Sequence, residues 1–193
     1  NWVDTKLIVN QKSESKKNNP FLKEFNIKEK STIVMYSGTM GEKQGLDILP
    51  SIIKHFEGFS NIYWLLAGEG PMKKYLKEKL SRYKNLKILP IQPKERFNDW
   101  INLADIHLLP QRDGADGLVL PSKVLAILAS GKPFISSANK FSDLGKLANI
   151  AGIRVEPENT KEFILAIEEL ANDKLLRTKL GKKGRKLAKD FFE

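Results

Sequence analysis

Three glycine-marked segments carry residue types able to hold phosphate. The first is Ser37-Gly38-Thr39-Met40-Gly41-Glu42-Lys43-Gln44-Gly45. Glycines there let the backbone approach a ligand and take positive φ. A following helix would offer free N–H groups and the positive end of its dipole, and Lys43 adds a full charge. The spacing is neither GxGxxG nor a Walker loop, so a purely structural turn explains the segment as well. The second is Ala67-Gly68-Glu69-Gly70-Pro71. Pro71 suits the first position of a helix, so helix initiation accounts for part of this motif and leaves Gly68 and Gly70 as the residues with a further role.

The third runs from Gly114 through Asp116, Gly117, Leu118 and Pro121 to Ser122-Lys123, and closes at Gly131-Lys132-Pro133. Ser122 is a good N-cap, which puts Lys123 at the start of the same helix. A cation beside the positive end of a helix is unfavourable unless something negative lies near it. A diphosphate would resolve that conflict, and so would a salt bridge to Asp116 or Asp113.

These turns need elements to hold them. Thr32–Tyr36, Ile62–Ala67, Leu86–Leu89, Ile106–Leu109, Pro133–Ser137 and Ile153–Val155 read as strands, several of them compact apolar runs suited to a buried parallel sheet. Between them, helical patterns run over Leu46–Phe56, Met72–Tyr83, Lys94–Leu103 (with Phe97, Trp100 and Ile101 on its inner face), Ser122–Ser130 and Asp143–Asn149. Thr160–Asn172 and Lys174–Lys189 follow as the last two helices. The alternation predicts an α/β fold, a Rossmann-like parallel sheet with helices on both faces. Ligands of such sheets bind at the carboxyl ends of the strands, where all three glycine segments fall.

With 193 residues, 41% of them hydrophobic, the chain is long enough for one domain with a proper core. Residues 1–30 read as a linker and lead-in segment from a preceding domain, and residues 31–193 as one α/β domain whose last helix is cut short. The Asn1-Trp2 start and the Phe191-Phe192-Glu193 end both read as cut points. A net charge of +10 favours anionic partners, or else represents solvated lysines. The chain has no cysteine, which removes disulfides and thiolate metal sites and fits a reducing compartment. No apolar run approaches the roughly 20 residues of a membrane span.

The three segments, in this order, resemble the C-terminal domain of a GT-B glycosyltransferase of the family 4 kind, over essentially the whole chain. The branch most resembled is that of the colanic-acid and aminofucosyl transferases. Its Ser-Gly-x-x-Gly-x-x-Gln-Gly-Leu pattern is matched by Ser37, Gly38, Gly41, Gln44, Gly45 and Leu46. Its Gln-Pro-x-x-Arg pattern is matched by Gln92, Pro93 and Arg96, and its Leu-Pro-Ser-Lys pattern by Leu120–Lys123. Three positions depart from the broader family. Thr39 stands where most members carry an arginine, Ala126 where a glutamate holds the ribose, and Leu118 where that glutamate's partner acid falls.

The resemblance implies retaining transfer of a sugar from a nucleotide diphosphate, UDP being favoured, in bacterial surface-polysaccharide synthesis. It implies a donor site among Gly38, Thr39, Lys43, Gln44, Gly45, Gly68, Gly70, Gln92, Arg96, Asp116, Leu118, Pro121, Ser122 and Lys123. Lys43, Lys123 and main-chain N–H groups would offset the charge of the leaving diphosphate. No metal and no other cofactor is expected. The acceptor, a sugar or a lipid-linked saccharide, would be held by the N-terminal domain, so this domain alone should bind donor and transfer little. The expected location is cytoplasmic, with or without contact at the inner face of the membrane.

His55 and His107 have no ligand partners at metal spacing, and Trp64 and Trp100 read as core. The last helix carries eight basic residues from Lys174 to Lys189. It can rest on anionic lipid, although its Leu176, Leu180 and Leu187 spacing is also that of an ordinary amphipathic helix with a solvated face. Two other functions compete: a nucleotide-sugar epimerase of GT-B architecture, for which the histidines are poorly placed, and a nucleic-acid-binding module. The latter lacks interleaved aromatics and any helix-turn-helix unit, so no nucleic-acid partner is expected.

Overall fold

The structure, a computed structural model, describes residues 8, 16–114 and 122–191, the side chains of Ser122 and Phe191 excepted. Six strands form one parallel sheet: β1 (Thr32–Ser37), β2 (Ile62–Ala67), β3 (Leu86–Leu89), β4 (Ile106–Leu109), β5 (Phe134–Ser137) and β6 (Gly152–Val155). Their order is β3-β2-β1-β4-β5-β6, so the winding reverses between β1 and β4. That reversal opens a crevice at the carboxyl ends of those two strands, the ordinary ligand position in such sheets.

The alternation along β1 shows why it is central. Ile33 and Met35 pack on one side with Phe21, Trp100 and Leu103. Val34 and Tyr36 pack on the other with Ile52, Phe56 and Trp64. Both faces are covered, which is what a continuous apolar run requires. The covering helices are α1 (Pro20–Glu24), α2 (Leu49–His55), α3 (Met72–Leu80), α4 (Phe97–Leu103), α5 (Ser122–Ser130), α6 (Asp143–Ala151), α7 (Thr160–Asn172) and α8 (Lys174–Phe191). Helix α1 lies in the stretch read as a linker, and its Phe21 is fully buried edge-on to Trp100, ring centroids 5.2 Å apart.

The single helix expected from Leu46 is a correction. Two 3-10 turns, Glu42–Gln44 and Leu46–Ile48, precede a seven-residue α2. Gly45 divides them in a left-handed conformation, φ 58°, and a Cβ there would lie 3.1 Å from the Gln111 carbonyl carbon. The contact with the β4 loop bends the chain where periodicity alone reads a continuous helix. The helix expected over Lys94–Leu103 likewise begins with a 3-10 turn, Lys94–Arg96. Phe97 is half-exposed rather than inward. It borders a pocket that also meets Trp100, Ile101, His107 and Lys123.

Candidate functional site

The first two glycine segments interlock. Gly38 N donates to Ala67 O (2.9 Å), Met40 N to Glu69 O (2.8 Å) and Met72 N to Met40 O (2.9 Å). A Cβ on Gly68 would lie 1.9 Å from Gly38 O, and one on Gly70 2.4 Å from Met40 O. Glycine is therefore demanded at both positions by the backbone of the first segment, whatever else they do. The second turn is a buttress that fixes the shape of the first.

Within the first segment the polar groups divide between turn-building and solvent. The Gln44 side-chain oxygen accepts from Gly41 N at 3.0 Å, which ties that amide to the turn. Tyr36 Oη donates to Thr39 O, and burial raises the Tyr36 pKa, so this hydroxyl stays protonated and donating. The Thr39 and Lys43 side chains are exposed. Lys43 O accepts from Arg112 N at 3.2 Å, linking the segment to the loop after β4. Arg112 itself pairs with Asp47 at 3.2 Å.

On the β4 side, Ser137 from the neighbouring strand locks the backbone of Gln111. Gln111 N donates to Ser137 Oγ (2.8 Å), and that hydroxyl donates to Gln111 O (3.0 Å). The Gln111 Oε1 is buried with no hydrogen-bond partner among the described residues.

Lys123 joins the third segment to the first. From the first turn of α5 its Nζ reaches 4.9 Å from the Tyr36 ring centroid, and it lies 3.4 Å from where a Cβ of Gly38 would stand. Burial pushes its pKa down to about 8, with no opposing carboxylate among the causes. Asp113, one of the two acids considered as its partner, is exposed and accepts from its neighbour Gly114 N at 3.0 Å. A half-buried ammonium facing glycine backbone at a helix start is an arrangement suited to a dianionic ligand.

The side chains of Arg96 and Gln92 make their contacts with other groups. Arg96 Nη2 pairs with Glu24 at 2.5 Å, and its guanidinium lies 4.0 Å over the Phe21 ring. These contacts tie the α4 end to α1. Gln92 Nε2 donates to Pro90 O at 3.0 Å, beyond the edge strand β3. Asp116, Leu118 and Pro121 lie outside the described residues, and of Ser122 only the backbone, at the start of α5, is described. Ala126 is buried in the apolar cluster of α5, α6 and α8.

His55 faces Glu168 at 2.9 Å. Among the described residues no three His, Cys, Asp or Glu side chains gather at metal distance. His107 is buried, its Nε2 donating to Ile101 O at 3.0 Å, and burial pushes its pKa down to about 4. Tyr36, Gln111 and Ser137 are the site residues that sequence reasoning missed. Each reads there as an ordinary strand or loop residue, and only the sheet order brings them together.

Residues 18–187 match the model of the family described as Glycosyl transferases group 1. The chain is 29% identical over 154 residues to the putative colanic acid biosynthesis glycosyl transferase WcaI of Escherichia coli K12. That match covers 76% of this chain and 37% of the relative. Among solved structures, HepE of Anabaena in complex with UDP-glucose aligns with a TM-score of 0.81 at 15% identity, over 100% of this chain and 52% of that one. The C-terminal domain of the group 1 glycosyl transferase LpcC of Francisella tularensis aligns at 0.73 and 19% identity, covering 99% and 98%. The chain thus spans about half or less of the longer proteins it matches and nearly all of a solved C-terminal domain, and the fold is the Rossmann-like half of a GT-B glycosyltransferase.

Proposed function

The chain belongs to the family of group 1 glycosyl transferases, and on that premise we propose that it is the donor-binding half of an enzyme that transfers a sugar from a nucleotide diphosphate. The observation that carries this reading is the position of Lys123, whose ammonium sits against Gly38 and over Tyr36 with no carboxylate beside it among the described residues. A diphosphate in the crevice between β1 and β4 would meet that ammonium, the backbone of the first glycine segment and the start of α5. It would also restore the charge that burial disfavours. HepE, solved with UDP-glucose and with UDP, supports a uridine donor.

In this reading the protein's contribution to catalysis is electrostatic. As the bond between anomeric carbon and diphosphate breaks, negative charge grows on the leaving phosphate. Lys123 and oriented N–H groups stabilise it where they already stand, and the exposed side chain of Lys43 adds a mobile charge. The segment carrying Asp116, Leu118 and Pro121, which leads into α5, is where sugar contacts are expected. Gly68 and Gly70 act through the shape of the first turn, and Gln44 through its tie to Gly41. Metal-independent retaining transfer, an acceptor held by a preceding domain, and a place in surface-polysaccharide synthesis complete the proposal, the last supported by the similarity to WcaI. The family match favours transfer over epimerisation.

Calorimetry of the chain against UDP, GDP and the corresponding monophosphates tests it. The expected result is micromolar-to-millimolar diphosphate binding, with the monophosphates weaker by tenfold or more. Equal affinity for mono- and diphosphates would remove the role given to Lys123, and failure of both UDP and GDP to bind would remove the proposal.

A further inference from the structure

The basic residues of α8 have two separate fates. Arg177 donates to Leu170 O and, at 3.0 Å, to Ala171 O, carbonyls at the end of α7. Arg185 donates to Ile8 O at 2.6 Å and to Ala129 O near the end of α5. Both arginines thus cap backbone inside the domain. The lysines do the opposite: Lys174, Lys179, Lys182, Lys183, Lys186 and Lys189 are all exposed.

At 100° per residue, Lys179, Lys182, Lys183, Lys186 and Lys189 fall with Leu175 inside an arc of about 120°. The opposite side, with Leu180 and Ala188 buried, seats the helix on the domain. The face therefore runs along an 18-residue helix, about 27 Å long. Leu175, 82% exposed, stands on the same arc at its start. The one described acid on this arc, Asp190, stands in the last turn, four residues after Lys186; ahead of it Lys179 stands against Lys183 and Lys182 against Lys186, pairs that repel. Among the described residues none of these lysines takes part in an ion pair.

We infer that this face of α8 is a docking surface for an anionic lipid bilayer. Four to eight clustered basic residues on an amphipathic helix suffice for attraction to acidic headgroups. Lysine, a strongly hydrated point charge on a flexible stem, suits a fluid headgroup plane. Recognition of nucleic-acid phosphates and bases favours the fork of arginine, and both arginines of this helix are engaged inside the domain. Leu175 supplies an apolar contact at one end of the line. The inference goes beyond the transferase reading and does not depend on it, since α8 stands apart from the β1–β4 crevice in the proposed chemistry.

The test is co-sedimentation of the chain with vesicles of phosphatidylcholine alone and of phosphatidylcholine with one-third phosphatidylglycerol. Binding is expected only to the anionic vesicles, and it should collapse as salt rises from about 50 to about 500 mM, as screening demands. The variant K179Q/K182Q/K183Q/K186Q should lose several hundred-fold in partitioning, about fivefold per lysine. A variant of equal net charge altered elsewhere on the surface, K28Q/K54Q/K74Q/K84Q, should lose far less. Far-UV circular dichroism and thermal denaturation should be unchanged in both, which reports that they fold. Equal loss in the two variants would make the effect one of net charge and overturn the inference. So would absence of binding to anionic vesicles at low salt, or tight binding of a short DNA or RNA duplex by the same lysines in its place.

Discussion

The ammonium of Lys123 lies 4.9 Å from the centre of the Tyr36 ring, which joins the last residue but one of β1 to the first turn of α5 across the reversal of the sheet. The Tyr36 hydroxyl holds Thr39 O, and the turn it shapes is braced from behind by Gly68 and Gly70. One cation thus looks onto a backbone loop that three separate stretches of sequence make rigid. Preorganisation of that kind is what stabilising a departing diphosphate requires.

Lys123→Met should weaken diphosphate binding by tenfold or more, because a charge-assisted contact of about 1.5–3 kcal/mol is lost. With the Lys123 pKa near 8 in the free protein, affinity in the unaltered chain should be highest near neutral pH, where the terminal phosphate (second pKa about 6) is ionised, and fall above pH 8 as the ammonium deprotonates. Binding near pH 8 should take up protons, seen as a dependence of calorimetric heat on buffer ionisation, and the variant should show none.

The same group affects stability. Its folded pKa lies below the ordinary lysine value of 10.5, so between about pH 8 and that value the unfolded chain holds a proton the folded chain has released. Stability should therefore rise with pH across that window. Urea titrations at pH 8 and 9.5 should show this for the unaltered chain and a smaller rise for Lys123→Met.

Gly68→Ala should damage both fold and ligand binding. Its Cβ would stand 1.9 Å from Gly38 O, whereas one at Gly58 meets nothing within 4 Å. Thermal denaturation should show a drop of several degrees for Gly68→Ala, corresponding to about 1–3 kcal/mol of overpacking strain. UDP or GDP affinity should fall with it. Gly58→Ala should change neither.

His107 makes the domain acid-sensitive. Its pKa is pushed from 6.5 to about 4 by burial, so between these values the unfolded chain binds a proton that the folded chain refuses. Stability contributed by this residue should decline as pH falls from 6.5 towards 4, by up to about 1.4 kcal/mol per unit. His107→Leu should flatten the acid limb of the stability profile, whatever it costs at pH 7 through the lost bond to Ile101 O.

Arg96→Gln should leave UDP and GDP affinity unchanged and lower thermal stability slightly, since its partners are Glu24 and Phe21. A selective loss of nucleotide binding would return Arg96 to the donor site.

The sheet was legible because its strands are short apolar runs separated by glycine turns. Ile62–Ala67, Leu86–Leu89 and Ile106–Leu109 have the boundaries that the sequence predicts. What escaped was decided at a distance. The 3-10 turns after β1 arise because Gly45 must lie on the Gln111 backbone, a contact across sixty-odd residues that no local period encodes. The partner of Arg96, an acid 72 residues away, is likewise set by the fold and not by any local pattern. Lys123 was legible for a local reason, a cation at an unfavourable helix end.

A diphosphate seated between the first glycine segment and the start of α5 would shield the amides of both. Amide hydrogen exchange of the chain with and without saturating UDP or GDP tests it most directly. New protection is expected at residues 38–45 and 122–125, with the amides of α8 unchanged. Protection confined to α8 or to the loop beyond β3, with residues 38–45 exchanging as before, would contradict it.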